Sequence, residues 1–201
     1  MQTFDFIYDF GSPNVYLIHK IMSQIEHRTG SKANYIPVLL GGIFKLTNNK
    51  PPLVQFSGIK GKIEYDQRVM HRFIQKYDIP FKFNSHFPVM TTSVMRGALY
   101  AQNQDYYGQY LDIVFDAIWQ HNLKMDDPEI IKTTLENAGL PAAEIMEGAE
   151  QDNIKKGLFA TTQAAVDRGT FGAPTMFVGD EPFFGKDSLD EMINWIDAKT
   201  Q

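Results

Sequence analysis

Phe4-Asp5-Phe6-Ile7-Tyr8-Asp9-Phe10-Gly11-Ser12-Pro13-Asn14-Val15 is the stretch that decides how this chain folds. Residues 3–8 alternate, with Phe4, Phe6 and Tyr8 on one face and Asp5, Ile7 and Asp9 on the other, the period of a β-strand. Gly11-Ser12-Pro13 then opens a helix. A serine oxygen at the cap accepts a backbone N–H that has no partner inside the helix, and proline suits the first helical position, where its missing N–H costs nothing. The helix is expected to run to about Arg28, with Ile18, Ile21, Met22 and Ile25 along one stripe and Gly30 stopping it. Ala33 to Leu40, with Tyr35, Ile36 and Val38, reads as a second strand. Such a β-α-β unit implies two parallel strands joined by a right-handed crossover.

From about Lys45 to Arg168 the pattern changes to helices with hardly any strand. Val69, Met70, Phe73, Ile74 and Tyr77 recur at helical spacing until Ile79-Pro80, and Thr91 to Asn103 forms a further helix. Tyr106, Tyr107, Tyr110, Leu111, Val114, Phe115, Ile118 and Trp119 make a broad apolar stripe. Pro128 to Ala138 is a short helix with an Asp pair before it and Gly139 after it. Ala142 to Arg168 holds one or two more, closed by Gly169. The end returns to β: Thr175–Val178, a Gly179-Asp180 turn, and Glu181–Phe184 as antiparallel partner. Leu189, Met192, Ile193 and Ile196 mark a last helix, with Ser188-x-x-Glu191 as a capping box. The order βαβ, helical block, ββα is that of a thioredoxin-like α/β fold with a large inserted all-helical domain. The expected division is 1–45 plus 169–201 for the thioredoxin-like part and 46–168 for the insertion.

Composition narrows the function. A net charge of −5 argues against a nucleic-acid partner. No run approaches the roughly 18 apolar residues of a membrane span. Met1-Gln2-Thr3-Phe4-Asp5 lacks a basic segment followed by an apolar stretch, so no signal peptide is expected and the cytoplasm is the default location. The chain has no cysteine, which excludes disulfides and thiolate metal sites. The histidines at 19, 27, 71, 86 and 121 show no metal-ligand spacing and read as scattered surface or packing residues, so no metal is expected.

Three short motifs carry chemistry. Ser12 stands where a redox relative of this fold would place its first cysteine. A serine before proline is also an ordinary helix cap, but a hydroxyl there can donate to a thiolate, beside free N–H groups and the positive end of the helix dipole. Gly172-Ala173-Pro174 precedes a strand. Ala-Pro is a common loop pair, yet in this context the bond is expected to be cis, turning the N–H and C=O of Ala173 outward toward the backbone of a bound peptide's cysteine. Phe183-Phe184-Gly185-Lys186-Asp187 leads into the last helix. It reads either as a plain turn or as a holder for a γ-glutamyl group, with N–H groups on its carboxylate and Asp187 on its ammonium. Lys45, Lys50, Lys60 and Lys62 form a basic cluster around an Asn-Lys-Pro-Pro loop, either solvated surface or a lure for a substrate carboxylate. A platform without a thiol needs its sulfur from a ligand, and glutathione is the obvious candidate.

With Ser12-Pro13, Gly41-Gly42-Ile43-Phe44-Lys45, Asn49-Lys50-Pro51-Pro52, Gly172-Ala173-Pro174-Thr175-Met176-Phe177 and Phe184-Gly185-Lys186-Asp187 in this order, the chain resembles the family of 2-hydroxychromene-2-carboxylate isomerase and kappa-class glutathione transferase. The resemblance spans nearly the whole length. It implies a DsbA-like thioredoxin fold, glutathione as cofactor, a small aromatic or electrophilic substrate and a homodimer. By it, Ser12 faces the glutathione sulfur, Asn49 lies at the active-site loop, Ala173 and Pro174 meet the cysteinyl backbone, and Phe184, Gly185, Lys186 and Asp187 hold the γ-glutamyl end. The chain departs from the family's usual pattern at Ala173, often a larger aliphatic residue, and at Ser188, often arginine. The expected activity is a glutathione-dependent isomerisation by reversible conjugate addition. The alternatives are a kappa-type transferase or peroxidase, and a non-catalytic peptide binder.

Overall fold

The computed structural model describes residues 2–200. Its elements run β1 (Thr3–Tyr8), α1 (Pro13–Lys20), α2 (Met22–Thr29), β2 (Lys32–Pro37), α3 (Leu40–Thr47), α4 (Pro52–Gln55), α5 (Lys62–Tyr77) and α6 (Thr92–Ala101). They continue with α7 (Tyr107–Trp119), α8 (Pro128–Asn137), α9 (Ala142–Ala149), α10 (Asp152–Asp167), β3 (Thr175–Val178) and β4 (Glu181–Phe184). A 3₁₀ turn (Lys186–Ser188) leads into α11 (Leu189–Thr200). The sheet order is β2-β1-β3-β4. β1 and β2 are parallel with Phe6 opposite Tyr35, whereas β3 lies antiparallel to both β1 and β4. This is the expected thioredoxin arrangement, with eight helices, α3 to α10, between β2 and β3.

Several local expectations are corrected. The first helix is two: at Ile21 the backbone turns to φ −110°, ψ 9°, and its N–H bonds to Ile18 O at 3.1 Å. The second strand ends at Pro37, because α3 begins at Leu40. The Gly179-Asp180 hairpin turn forms as expected, with only Gly179 at positive φ (66°), the pattern of a type II′ turn. The capping box does not form. Ser188 Oγ instead donates back to Phe184 O (2.8 Å) and Gly185 O (3.0 Å). Other signals act as read: Asp127 caps α8 by accepting from Glu129 N at 3.0 Å, and Gly30 leaves α2 in the left-handed region.

The strand β1 is covered on both faces. Phe4, Phe6, Tyr8 and Phe10 join one large core with α1, α2, α6, α7 and α11. Ile7 faces a second cluster with Val38, Ile43, Ala165 and Phe177 beneath α3 and α10. The alternation of β1 therefore does not separate core from solvent, and Asp9 at its end is only 2% exposed. Across the expected division of the chain the packing is continuous. Phe10 and Phe115 meet edge to face at 4.6 Å, and the Trp119 indole N–H donates to Phe10 O at 2.7 Å.

The outer edge of β2 is closed by side chains. Ala33 N–H donates to Glu26 Oε1 (3.0 Å), Gln102 Nε2 donates to Tyr35 O (3.1 Å), and Thr161 Oγ1 donates to Pro37 O (2.7 Å). Main-chain groups that would otherwise pair with another strand are thereby occupied. None of the described helices is long and apolar enough to cross a membrane.

Candidate active site

Ser12 sits at the head of α1, in extended backbone (φ −99°, ψ 117°), and is 5% exposed. Its oxygen accepts from Val15 N at 3.4 Å, a weak cap, and its proton goes to Ala173 O at 2.9 Å. The Ala173–Pro174 bond is cis, as expected from the sequence. Residues 161 positions apart thus share one hydrogen bond, closed by the antiparallel pairing of β3 with β1.

The late motif folds around the same point. Gly185 N–H donates to Pro174 O at 2.9 Å, tying the end of β4 to the proline. The Phe184 and Phe171 rings lie 4.5 Å apart, and both are nearly half exposed. Gly172 passes so close beneath Phe184 that a Cβ there would stand 2.9 Å from the ring. Asn49, from the loop after α3, donates from Nδ2 to Phe171 O at 2.9 Å, while its Oδ1 accepts from Lys50 N. Asn49, Phe184 and Gly185 are therefore tied to the segment 171–174, whose Ala173 carbonyl accepts from Ser12. Lys45 and Lys50 are exposed, and among the described residues no hydrogen bond or ion pair joins their ammonium groups to the platform.

Lys186 and Asp187 pair with each other. Lys186 Nζ lies 2.6 Å from Asp187 Oδ1; the lysine side chain is 5% exposed and the aspartate 75%. The lysine also approaches the Phe73 ring of α5 at 5.9 Å. Ser188, where the resemblance leads one to expect arginine, carries no charge and bonds the turn through its hydroxyl.

Sequence reasoning missed Asp9. Its Oδ1 accepts from Gly11 N (2.8 Å) and Thr91 Oγ1 (2.6 Å), and its Oδ2 from Leu40 N at the start of α3 (2.7 Å). Burial raises its carboxyl above the ordinary aspartate range, against the pull of these three donors. Its main-chain oxygen also accepts from Ser12 N at 3.1 Å. One carboxylate therefore fixes the Ser12 turn, the first turn of α3 and the start of α6. The available signal was an acidic residue at a strand end followed by Phe-Gly-Ser, the grammar of a side chain folding back on its own turn.

His19 is a packing residue whose partners the sequence does not show. Its Nε2 meets Asp112 Oδ1 and its Nδ1 meets Tyr35 Oη, both at 2.8 Å, and its ring stacks on Phe115 at 4.5 Å. The hydrogen bond from His19 holds the Asp112 carboxyl below its ordinary value. Among the described residues no cluster of His, Asp and Glu is arranged to hold a metal ion.

The DSBA-like thioredoxin domain family matches residues 3–197. The chain belongs to this family. It is 30% identical over 199 residues to the 2-hydroxychromene-2-carboxylate isomerase of Sphingobium xenophagum, covering 97% of this chain and 98% of that protein. Glutathione S-transferase kappa 1 of Rattus norvegicus is 24% identical over 184 residues, covering 87% and 80%. A solved structure of 2-hydroxychromene-2-carboxylate isomerase superposes with a TM-score of 0.85 at 25% identity, covering 99% of this chain and 96% of the other. Within the DsbA-like family the chain therefore falls with the chromene carboxylate isomerases and kappa-class glutathione transferases. The inserted helices are shared with that isomerase, since the superposition runs over nearly both whole chains.

Proposed function

We propose that the chain is a glutathione-dependent isomerase of the 2-hydroxychromene-2-carboxylate isomerase type, acting on an unsaturated acid of aromatic-ring breakdown. The observation that carries the reading is a helix-capping hydroxyl, Ser12, bonded to the carbonyl ahead of a cis-proline in a chain with no cysteine. The platform's residues fit a peptide thiol. Ala173 N–H has no hydrogen-bond partner among the described residues, and a peptide carbonyl satisfies it. The exposed Asp187 carboxylate suits a free ammonium, and the buried Lys186 ammonium beside it suits a carboxylate.

When bound here, glutathione supplies a thiolate for reversible addition to an electron-poor double bond, which can then turn before the sulfur leaves. The protein's part is to hold the sulfur anionic and the substrate close. Ser12 Oγ–H donates to the sulfur, and the first-turn N–H groups of α1 add the positive end of the helix dipole. Each unit of thiol pKa lowering requires about 1.36 kcal/mol of preference for the anion. One hydroxyl with backbone donors accounts for one or two such units. Phe171 and Phe184 give an apolar wall beside the sulfur, and Lys45 and Lys50 draw a substrate carboxylate weakly, as exposed charges do.

The test is calorimetry with glutathione, followed by ultraviolet assay of the interconversion of a cyclic hemiketal acid with its open-chain isomer. Binding and turnover with no loss of glutathione are expected. No heat at millimolar glutathione would end the proposal. The rat relative favours a second reading, a kappa-type transferase. That reading predicts stoichiometric consumption of glutathione with a simple electrophile.

A further inference from the structure

We propose that the ligand's own peptide N–H switches Ser12 from Ala173 to the sulfur, so that the site ionises peptide thiols and discriminates against simple ones. This inference rests on the glutathione reading above and adds a rule for which thiols that site activates.

Ser12 has one hydroxyl proton, and it is committed to Ala173 O at 2.9 Å. A thiolate is a charged acceptor and outcompetes a neutral carbonyl for that proton. The serine oxygen is held by Val15 N, so rotation about its Cβ–Oγ bond redirects the proton without moving the backbone. The cost falls on Ala173 O, which loses its donor inside a part-buried turn. Donors around it are already engaged. Gly185 N–H is on Pro174 O, Asn49 Nδ2 is on Phe171 O, and the Ser188 hydroxyl is on Phe184 O and Gly185 O.

Among the described residues no second donor is placed on Ala173 O, so a replacement for Ser12 comes from the ligand or from solvent. Ala173 offers an unpartnered N–H and, once Ser12 turns away, an unpartnered C=O. A peptide residue lying antiparallel exchanges both bonds with a single opposing residue. In glutathione that residue is the cysteine itself, whose side chain carries the sulfur. Its N–H replaces Ser12 on Ala173 O and frees the hydroxyl for the thiolate. A thiol without this N–H takes the Ser12 proton only by leaving the part-buried Ala173 carbonyl to solvent, a penalty of up to about tenfold in thiol ionisation.

The experiment compares glutathione with its depsipeptide, in which the cysteinyl N–H is replaced by an ester oxygen, both at saturation by calorimetry. The thiol pKa of each complex is read from ultraviolet thiolate absorbance. The N-methyl amide analogue gives the same readout if the ester binds too weakly. On the unaltered protein the glutathione thiol should ionise about tenfold more readily than the analogue's. In Ser12→Ala the difference should vanish, because there is no hydroxyl to release. Equal ionisation of the two thiols on the unaltered protein overturns the switch while leaving glutathione binding intact. A difference that persists in Ser12→Ala also overturns it. Failure of glutathione itself to bind overturns the proposed function along with it.

Discussion

Asp9→Asn tests whether one buried carboxylate organises the active-site turn. The native side chain, 2% exposed, accepts from Gly11 N, Thr91 Oγ1 and Leu40 N at 2.6 to 2.8 Å. An amide has one acceptor oxygen and cannot satisfy both sides. Its best orientation keeps the oxygen on Gly11 and Thr91 and turns NH₂ against the Leu40 N–H. A buried donor left without an acceptor costs about 1–3 kcal/mol, and that is the expected loss at acid pH. The pH dependence follows from burial, which raises the Asp9 carboxyl above its ordinary value. A raised folded-state pKa contributes stability that is complete below the unfolded value, near ~3.9, and is lost as pH rises through the folded one. The native protein loses that contribution as pH rises through the folded-state value, and the variant, which does not titrate, has none to lose. The gap between them, measured by urea unfolding over a pH series, should therefore be widest in acid and narrow as pH rises. A gap that widens as pH rises would refute the reasoning, because the three donors would then outweigh burial.

Four further perturbations read other parts of the molecule. Ser12→Ala should raise the pKa of bound glutathione thiol by about one unit and cost about 1–2 kcal/mol of stability, mostly from the donor lost to Ala173 O at 2.9 Å, since the cap to Val15 N is long at 3.4 Å. Unchanged thiolate titration would remove Ser12 from the chemistry. Asp187→Ala should weaken glutathione binding more than it moves the thiol pKa, and calorimetry beside the same titration would expose the opposite pattern. Trp119→Phe removes the donor to Phe10 O and shrinks a side chain with 0% exposure. It should lower unfolding free energy by about 2–4 kcal/mol, and a loss within experimental error would mean the bond contributes nothing. Gly97→Ala places a Cβ 2.3 Å from the Tyr110 hydroxyl, which is itself buried and bonded to Val94 O. Overpacking there should cost about 1–3 kcal/mol, whereas an unchanged melting temperature would show that Tyr110 gives way freely.

The sheet was legible because its evidence is local. Alternation in residues 3–8, the Ser-Pro helix start, the Gly at 179 and the cis-proline ahead of β3 each announce themselves within a few residues. The break at Ile21 was not legible, because the apolar stripe Ile18, Ile21, Met22 and Ile25 continues across it and remains buried on one core. Periodicity reports which side chains face inward, and two short helices can share that face as well as one long one. The capping box failed for a related reason. Ser188 had two nearer acceptors in the carbonyls of Phe184 and Gly185, exposed by the 3₁₀ turn that the sequence pattern does not reveal.

In the candidate site, the residues read from sequence are those whose type is unusual for their place: a serine where a thiol is expected, a proline before a strand. Asp9 and His19 escaped because their partners are remote. Thr91 lies 82 residues from Asp9, and Asp112 lies 93 from His19. Both ties reach from the thioredoxin elements into the inserted helices, so they exist only once the insertion has packed against β1 and α1. The same dependence holds for Ser12, whose hydroxyl finds Ala173 only after β3 has paired with β1. A partly folded chain has the helix cap without the carbonyl, and therefore no controlled hydroxyl. The chemistry of the platform is in this sense a property of the closed sheet, while Asp9, which accepts from Gly11 N, Leu40 N and Thr91 Oγ1 and whose main-chain oxygen accepts from Ser12 N, ties the Ser12 turn to the starts of α3 and α6.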